Sequence, residues 1–224
     1  MVADWTYGVP GTAFPVEPGQ EWRQGRHTWI CADIMADDAQ VRAHLDEVTL
    51  VYTDPPWGQG LANGFRTKAG LGRATYDWRE IYRRVAGYSH SRGVPVWAEG
   101  SVIDSDLGMP VPGLLAHPGN ARGYWQVTYM GGHPSGLYYS GPEPVHADLA
   151  ASLTGLKDFE MVRAVLDNYG VGVVLDPCSG LGGVPLVAEQ AGWGSVNAEL
   201  SPWRMSKAMY RMRELTGTEP ERTA

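Results

Sequence analysis

Residues 49–58 combine a short apolar segment with a rigid double-proline bend, and few folds accommodate that combination. The first half of the segment is apolar and β-prone, which predicts a short buried strand. The strand would deliver Asp54 to its carboxyl end, where open α/β sheets bind their ligands. Pro55 and Pro56 then fix two consecutive φ angles and remove two N–H donors, and Trp57 follows directly.

The bend leaves backbone carbonyl groups as acceptors next to a carboxylate and a flat indole ring. Such a corner suits a planar molecule with an exocyclic NH2 group, because two acceptors can take its two protons while the indole stacks on the ring. The same residues are also compatible with a simple turn after a strand, with Trp57 in the core. A second pattern favours the ligand-binding interpretation.

The second pattern is a buried strand that runs into a glycine-rich turn at residues 171–183 and is followed by a helix and another strand. Gly180 and Gly182 would let the backbone approach a ligand closely. Glu199, at the end of the next strand, stands where a carboxylate binds both hydroxyls of a ribose. Asp176 before the turn disfavours a pyrophosphate and favours a cationic or zwitterionic cofactor. S-adenosylmethionine fits, with a ribose for Glu199 and an ammonium group for Asp176.

Length and composition allow one α/β domain with a sizeable core, since the chain has 224 residues of which 43% are apolar. No apolar run is long enough to span a membrane, and no secretory signal is visible. Cys31 and Cys178 are too few for a disulfide framework, and the six histidines show no paired spacing. We therefore expect a cytoplasmic protein with no membrane partner and no metal.

The net charge of −7 argues against a protein that coats nucleic acid, but the charge is unevenly distributed. Residues 58–93 hold seven basic side chains against two acidic ones, and five glycines fall within the first fifteen residues of that segment. We interpret the segment as a mobile basic loop that holds a polyanion. The expected nucleic-acid contacts are Arg66, Lys68, Arg73, Arg79, Arg83 and Arg84. The alternative is a solvated helix over residues 76–86 with ordinary surface arginines.

Taken together, the two patterns resemble the amino-methyltransferases of nucleic acids, which use S-adenosylmethionine on adenine N6 or cytosine N4. The signatures of that family are an Asp/Asn/Ser-Pro-Pro-aromatic tetrad and a separate glycine motif. Here they are Asp54-Pro55-Pro56-Trp57 and residues 176–183. The tetrad precedes the glycine motif, which matches the permuted order of the β class. The resemblance covers residues from about 27 to 215.

The resemblance also implies a set of cofactor-binding residues. Glu199 matches the ribose-binding acid, and Asp33 matches an acid near the adenine of the cofactor. The helix before the cofactor strand has a Lys-Pro-like start in the family, and Lys157 occupies that place here without the proline. The full expected set is Asp33, Asp54, Lys157, Phe159, Asp176, Cys178, Gly180, Gly182 and Glu199.

For the fold, the resemblance implies one α/β domain over residues 1–224, a Rossmann-like methyltransferase domain. Its sheet would be mixed but mostly parallel, with an antiparallel hairpin and helices on both faces. Residues 27–150 would form the catalytic half, with the basic loop 58–93, and residues 151–215 the cofactor-binding half. Pro95 lies inside a predicted strand and indicates an edge strand or a bulge.

For function, the resemblance implies methyl transfer from S-adenosylmethionine to N6 of adenine in DNA. The transfer would be a direct in-line displacement, with the target base flipped out and held by Asp54-Pro55-Pro56-Trp57. The acid in the first position favours adenine, since serine is commoner there in cytosine enzymes. Cytosine N4, RNA adenine and a protein glutamine side chain stay open as substrates, as does a non-catalytic cofactor-binding subunit of a larger complex. DNA is the expected partner, RNA is the alternative, and both a monomer and a homodimer are open.

Overall fold

The computed structural model of the protein describes residues 13–101, 111–129 and 133–224. The strands within these residues are β1 (Glu21–Gln24), β2 (His27–Cys31), β3 (Leu50–Thr53), β4 (Val96–Ser101), β5 (Ala121–Tyr129), β6 (His133–Gly141), β7 (Val173–Asp176), β8 (Gly194–Glu199) and β9 (Glu221–Arg222). They form one sheet in the order β5-β6-β4-β3-β7-β8-β2-β1-β9.

Five central strands, β4-β3-β7-β8-β2, run parallel to one another. Antiparallel strands flank them on both sides, with the β5–β6 hairpin on β4 and the pair β1 and β9 on β2. The expected mixed sheet with an antiparallel hairpin is therefore confirmed. The sequence does not predict β1 and β9, because both are short and mostly polar and gain their hydrogen bonds only from tertiary pairing.

Helices cover both faces of the sheet, as expected. They are α1 (Ala39–Ala43), α2 (Gln59–Lys68), α3 (Arg79–Arg92), α4 (Val111–Leu114), α5 (Ala147–Leu153), α6 (Asp158–Tyr169), α7 (Gly183–Gln190) and α8 (Pro202–Thr216). Successive side chains of a strand point to opposite faces, and β3 shows this directly. Val51 belongs to a core with α3, whereas Leu50 and Tyr52 belong to a second core with α5, α6 and α7.

The prediction of a mobile loop over residues 58–93 is wrong, because α2 and α3 occupy most of that segment. Side chains of α2 also hold the connection between the two helices. Gln59 accepts a hydrogen bond from the backbone N–H of Trp78 at 3.1 Å, and Asn63 accepts one from that of Ala74 at 2.9 Å. These tertiary bonds offset the low helix propensity of the glycines in α2.

Pro95 marks neither an edge strand nor a bulge, contrary to the expectation from the sequence. It lies just before β4, which is an interior strand between β6 and β3. Its carbonyl accepts a hydrogen bond from the backbone N–H of Val51 at 3.0 Å, and the missing proline N–H falls outside the β4 ladder. The expected single domain also includes residues 1–12, which lie outside the described residues. Its division into two halves stays a prediction.

Candidate active site

The carboxyl ends of β3 and β7 lie side by side at the point where the strand order reverses. From β3 the chain continues to β4 on one side, and from β7 it continues to β8 on the other. Open α/β sheets bind ligands in the crevice at such a switch point. Asp54 directly follows β3 and Asp176 ends β7, and the hydroxyl of Thr53 donates a hydrogen bond to Oδ1 of Asp176 at 2.9 Å.

A cavity of about 230 Å³ opens at this switch point. Asp54 and Pro56 of the proline bend line it, together with Gly180 of the glycine-rich turn, Glu199 of β8 and Phe159 of α6. The parallel sheet therefore brings two patterns that are far apart in sequence to the wall of one cavity.

Within the tetrad, the indole of Trp57 contacts the carboxylate directly. Its Nε1 donates a hydrogen bond to Oδ1 of Asp54 at 2.7 Å. Asp54 and Trp57 are half-buried, and both prolines of the bend are buried. Asp54 and Pro56 line the cavity, whereas Pro55 and Trp57 are not among the lining residues. In this structure the aromatic ring positions the carboxylate, a role that the sequence pattern does not indicate.

The glycine-rich turn packs too closely for side chains at two positions. Gly180 and Gly182 adopt left-handed backbone conformations, with φ of 56° and 81°. A Cβ atom at Gly182 would lie 2.8 Å from Cβ of Ala208, and one at Gly183 would lie 2.8 Å from Cε1 of Phe159. Gly183 lines the cavity although it is outside the expected cofactor set, while Gly182 shapes the turn behind the wall.

Asp176 and Glu199, two of the buried carboxyl groups that line the cavity, have a raised pKa. Burial raises the pKa of Asp176 from its ordinary value of 3.8 to about 7, and the negative charges of Asp54 and Glu199 add to this effect. Burial also raises the pKa of Glu199 to about 7, although Oε1 accepts a hydrogen bond from the backbone N–H of Ser201 at 2.8 Å. A cationic ligand would favour the ionised form of both groups.

Asp33, expected near the adenine of a cofactor, does line the cavity, and Arg66 of α2 forms an ion pair with it. The guanidinium group of Arg66 also lies 5.6 Å from the ring centre of Tyr76, another lining residue. Arg66 itself is not a lining residue, but it contacts two residues that are, and its ion pair holds α2 against the segment that follows β2. Its expected contact with nucleic acid would require this ion pair to open.

Three further arginines of the expected nucleic-acid set are engaged within the chain. The ion pairs are Arg79 with Asp77, Arg83 with Glu80 and Arg84 with Asp38. Lys68 and Arg73 differ, because both are exposed and form no ion pair with any residue that the structure describes. These two side chains are the ones of the set that a phosphate group could contact without breaking an existing ion pair.

Lys157 and Cys178, also in the expected cofactor set, differ in their positions. Lys157 is exposed just before α6, where its backbone N–H donates a hydrogen bond to Glu160 at 3.2 Å, and it does not line the cavity. Cys178 lines the cavity. Burial and the nearby charge of Asp176 raise the pKa of its thiol, so the sulfur stays protonated at neutral pH.

Several polar and aromatic side chains line the cavity that neither pattern indicated. They are Phe65, Tyr76, Glu99, Asp158 and Arg204, while Ser179, which also lines the cavity, lies within the glycine motif of residues 176–183. Glu99 had a signal in the sequence, because an acid ends the strand predicted to follow the proline bend. The others had none, since their places depend on tertiary contacts such as that between α2 and α8. There the guanidinium group of Arg204 lies 4.5 Å from the ring centre of Phe65.

The described helices include none that is both long and apolar enough to cross a membrane. Within the same residues, no three His, Cys, Asp or Glu side chains are grouped so that they could hold a metal ion. Cys31 is buried, Cys178 is half-buried, and neither forms a disulfide.

The central parallel strands, the antiparallel hairpin at one edge and the cavity at the switch point define the class of fold. It is the α/β fold of S-adenosylmethionine-dependent methyltransferases, as the resemblance implied. No family model and no curated protein matches the sequence.

Solved structures match the fold of this chain. The crystal structure of the M1.HpyAVI–SAM complex aligns with a TM-score of 0.61 and 12% identity, over 83% of this chain and 98% of that chain. A second match is TTHA0409 from Thermus thermophilus, which is provisionally described as a DNA modification methylase and is complexed with S-adenosyl-L-methionine. Its TM-score is 0.51 and its identity 16%, over 77% of this chain and 90% of that chain. The cytosine-N4-specific PvuII DNA methyltransferase aligns with a TM-score of 0.51 and 11% identity, over 91% of this chain and 88% of that chain. At these identities the similarity shows the fold alone.

Proposed function

We propose that this protein is an S-adenosylmethionine-dependent methyltransferase that acts on the exocyclic N6 of adenine in DNA. The observation that carries the proposal is the shared cavity, which Asp54 and Pro56 line together with Gly180 and Glu199. Direct transfer requires that the binding sites for the amine and for the methyl donor open onto each other. The methyltransferase fold and the permuted order of the two motifs support the same function.

The residues of the cavity fit S-adenosylmethionine. Glu199 would accept hydrogen bonds from the ribose hydroxyls, and Asp176 would bind the ammonium group. Both carboxyls are buried with a pKa near 7, so a cationic ligand favours their ionised form. Phe159 supplies an apolar wall, and the turn at Gly180 admits a ligand close to the backbone. When bound, the cofactor supplies a methyl group on a positively charged sulfonium.

Asp54, which lines the cavity, would accept one N–H bond of the target amine, and the carbonyl of Pro55, next to it but not a lining residue, would accept the other. An exocyclic amine is a poor nucleophile, because its lone pair is delocalised into the ring. Two acceptors draw the nitrogen toward tetrahedral geometry and stabilise the positive charge that develops on it as the N–CH3 bond forms and the S–CH3 bond breaks. Asp54 would then accept the proton that the methylated nitrogen loses. Trp57 donates a hydrogen bond to Asp54, and a carboxylate has about four acceptor positions, so this bond does not exclude one from the substrate.

Duplex DNA hides the adenine amine, so the base must leave the stack before it reaches the cavity, at a cost of a few kcal/mol. Phosphate contacts can offset this cost. Lys68 and Arg73 are exposed and would provide such contacts at the α2 side of the cavity.

Cytosine N4 in DNA is the second candidate target. It is favoured by the cytosine-N4-specific DNA methyltransferase among the structures of similar fold. Adenine is preferred, because the first residue of the tetrad is the acid Asp54 rather than serine. Both bases present an amine next to an unprotonated ring nitrogen.

The Asp54→Ala variant tests the proposal. We expect loss of methyl transfer to DNA with retained binding of S-adenosylmethionine in isothermal titration, because the cofactor carboxyls are on other strands. Asp77→Ala is the matched control, since Asp77 is exposed and pairs with Arg79 outside the cavity lining. Methyl transfer by Asp54→Ala at the rate of the unmodified protein would refute the role of Asp54.

A further inference from the structure

Glu99 is a buried acid in the wall of the same cavity, and the mechanism above does not use it. Only 5% of its surface is exposed, and it lies near the carboxyl end of β4. The hydroxyl of Tyr52 donates a hydrogen bond to its Oε1 at 3.1 Å, and the hydroxyl of Tyr82 donates to its backbone carbonyl at 2.9 Å. Its Oε2 has no hydrogen-bond partner among the described residues. Buried carboxyl oxygens in native structures usually have a hydrogen-bond partner, so this oxygen is available to a ligand in the cavity.

The register of the sheet places Glu99 beside Asp54. Thr53 of β3 is paired with Ala98 of β4, so Asp54 and Glu99 are the next positions along two adjacent parallel strands. Such strands are about 4.8 Å apart, and both residues line the cavity. Two carboxyl groups therefore face the ligand side by side from neighbouring strand ends.

The two groups differ in burial, because Glu99 is 5% exposed and Asp54 is half-buried. Burial raises the pKa of Glu99 well above its ordinary value, and the charges of Asp54, Asp158 and Asp176 raise it further. Two nearby carboxylates resist double ionisation, so the more buried one retains its proton. A neutral carboxylic acid has an O–H donor, whereas an ionised carboxylate only accepts. The pair thus offers one donor next to one acceptor.

We propose that Glu99, as a neutral acid, donates a hydrogen bond to the ring nitrogen next to the target amine while Asp54 accepts from the amine. This inference rests on the proposed function. On the Watson–Crick edge of adenine, the N6 amine donates and the adjacent N1 accepts, and cytosine has the same order with N4 and N3. The donor–acceptor pair on the protein is complementary to that edge. The site would therefore select bases whose amine neighbours an unprotonated ring nitrogen.

A cycle of protein variants and base analogues tests this contact. The substrates are DNA duplexes with adenine or 1-deazaadenine at the target, and with cytosine or 3-deazacytosine as the second pair. We expect the unmodified protein to prefer the natural base over its deaza analogue in kcat/KM, and Glu99→Ala to reduce that preference roughly tenfold. Glu99→Gln should keep most of the preference, because its amide N–H also donates.

The preference ratio separates a hydrogen bond to the base from a structural role. The inference would be overturned if the ratio of kcat/KM for the natural base to kcat/KM for its deaza analogue were the same in the unmodified protein and in Glu99→Ala. If Glu99→Ala does not fold, the ratio for Glu99→Gln decides, since a ratio near one there would equally overturn it. Absence of transfer to every duplex by the unmodified protein would instead contradict the proposed function itself. Binding of S-adenosylmethionine, measured by titration calorimetry, serves as the folding control for each variant.

Discussion

The buried carboxyl of Asp176 should make the protein less stable as the pH rises from about 4 to about 7. In the folded protein its Oδ1 accepts hydrogen bonds from Thr53 Oγ1 at 2.9 Å and from the backbone N–H of Cys178 at 3.2 Å. Burial and the neighbouring charges of Asp54 and Glu199 nevertheless raise its pKa from 3.8 to about 7. The substitution Asp176→Asn removes this titration while it keeps an acceptor at the Oδ1 position.

The sign and size follow from proton linkage. Below about pH 4, Asp176 is protonated in both the folded and the unfolded state, so its titration does not change the free energy of unfolding. Between pH 4 and pH 7 the unfolded chain has released this proton while the folded protein retains it, so the free energy of unfolding falls as the pH rises. The difference between 3.8 and about 7 corresponds to about 4 kcal/mol at pH values above 7.

Urea unfolding of the protein without ligand and of Asp176→Asn, followed by circular dichroism at pH 4.5, 5.5, 6.5 and 7.5, measures the effect. We expect Asp176→Asn to gain about 3 to 4 kcal/mol relative to the unmodified protein across this range. Burial also raises the pKa of Glu199 to about 7. Glu199 titrates in both proteins, so its contribution to the free energy of unfolding largely cancels when the two proteins are compared. A difference that does not change with pH would refute the description of Asp176 as a buried, uncompensated carboxyl.

Three further substitutions test individual contacts. Trp57→Phe removes the indole N–H that Asp54 accepts, and we expect kcat/KM to fall roughly tenfold in a methyl-transfer assay with cofactor affinity unchanged. Gly182→Ala combines a left-handed backbone with a 2.8 Å contact to α8, and we expect about 1 to 3 kcal/mol of lost stability in urea unfolding. Replacement of both Lys68 and Arg73 with glutamine should make the log Kd for DNA less steep against log salt concentration, by up to about two phosphate contacts.

Two of these tests have a matched control. Gly180→Ala shares the left-handed backbone, but its Cβ would meet nothing closer than 3.9 Å, so Gly182→Ala should be the more destabilising of the two. The double variant Arg79→Gln and Arg83→Gln removes two cations that are already in ion pairs. The salt dependence of DNA binding should therefore change less than it does when Lys68 and Arg73 are replaced. Equal losses of stability in Gly182→Ala and Gly180→Ala would contradict the close contact at Gly182. Equal changes of salt dependence in the two double variants would contradict phosphate contacts by Lys68 and Arg73. For Trp57→Phe, unchanged kcat/KM would show that the indole N–H does not position Asp54.

The strand pattern predicts the central strands and brings the acids together, but it does not predict β1 and β9. Asp54 follows β3, Asp176 ends β7 and Glu199 ends β8, and parallel strands place their carboxyl ends at one edge. Such positions depend only on local pattern and on the geometry of a parallel sheet. Their chemical roles as ligands of a base and a cofactor stay predictions.

Features that depend on tertiary contacts could not be predicted in this way. The glycine content of residues 58–93 indicated a loop, but Gln59 and Asn63 hold the segment as two helices and a short connection. The basic side chains of that segment are mostly paired, and Arg66 reaches Asp33 across the cavity wall. Sequence spacing can indicate local pairs such as Arg83 with Glu80, but it carries no information about Arg66 with Asp33 or Arg84 with Asp38, because those partners are on different segments of the chain.

The most direct test of the account is to incubate the protein with DNA and S-adenosylmethionine labelled in the methyl group, and then to digest the DNA to nucleosides. We predict label in N6-methyldeoxyadenosine, and no label above background with Asp54→Ala. Label in N4-methyldeoxycytidine would be consistent with the same mechanism but would show that the target base is cytosine. Absence of label from every nucleoside, with the cofactor shown to bind, would contradict the claim that this cavity methylates a nucleobase amine in DNA.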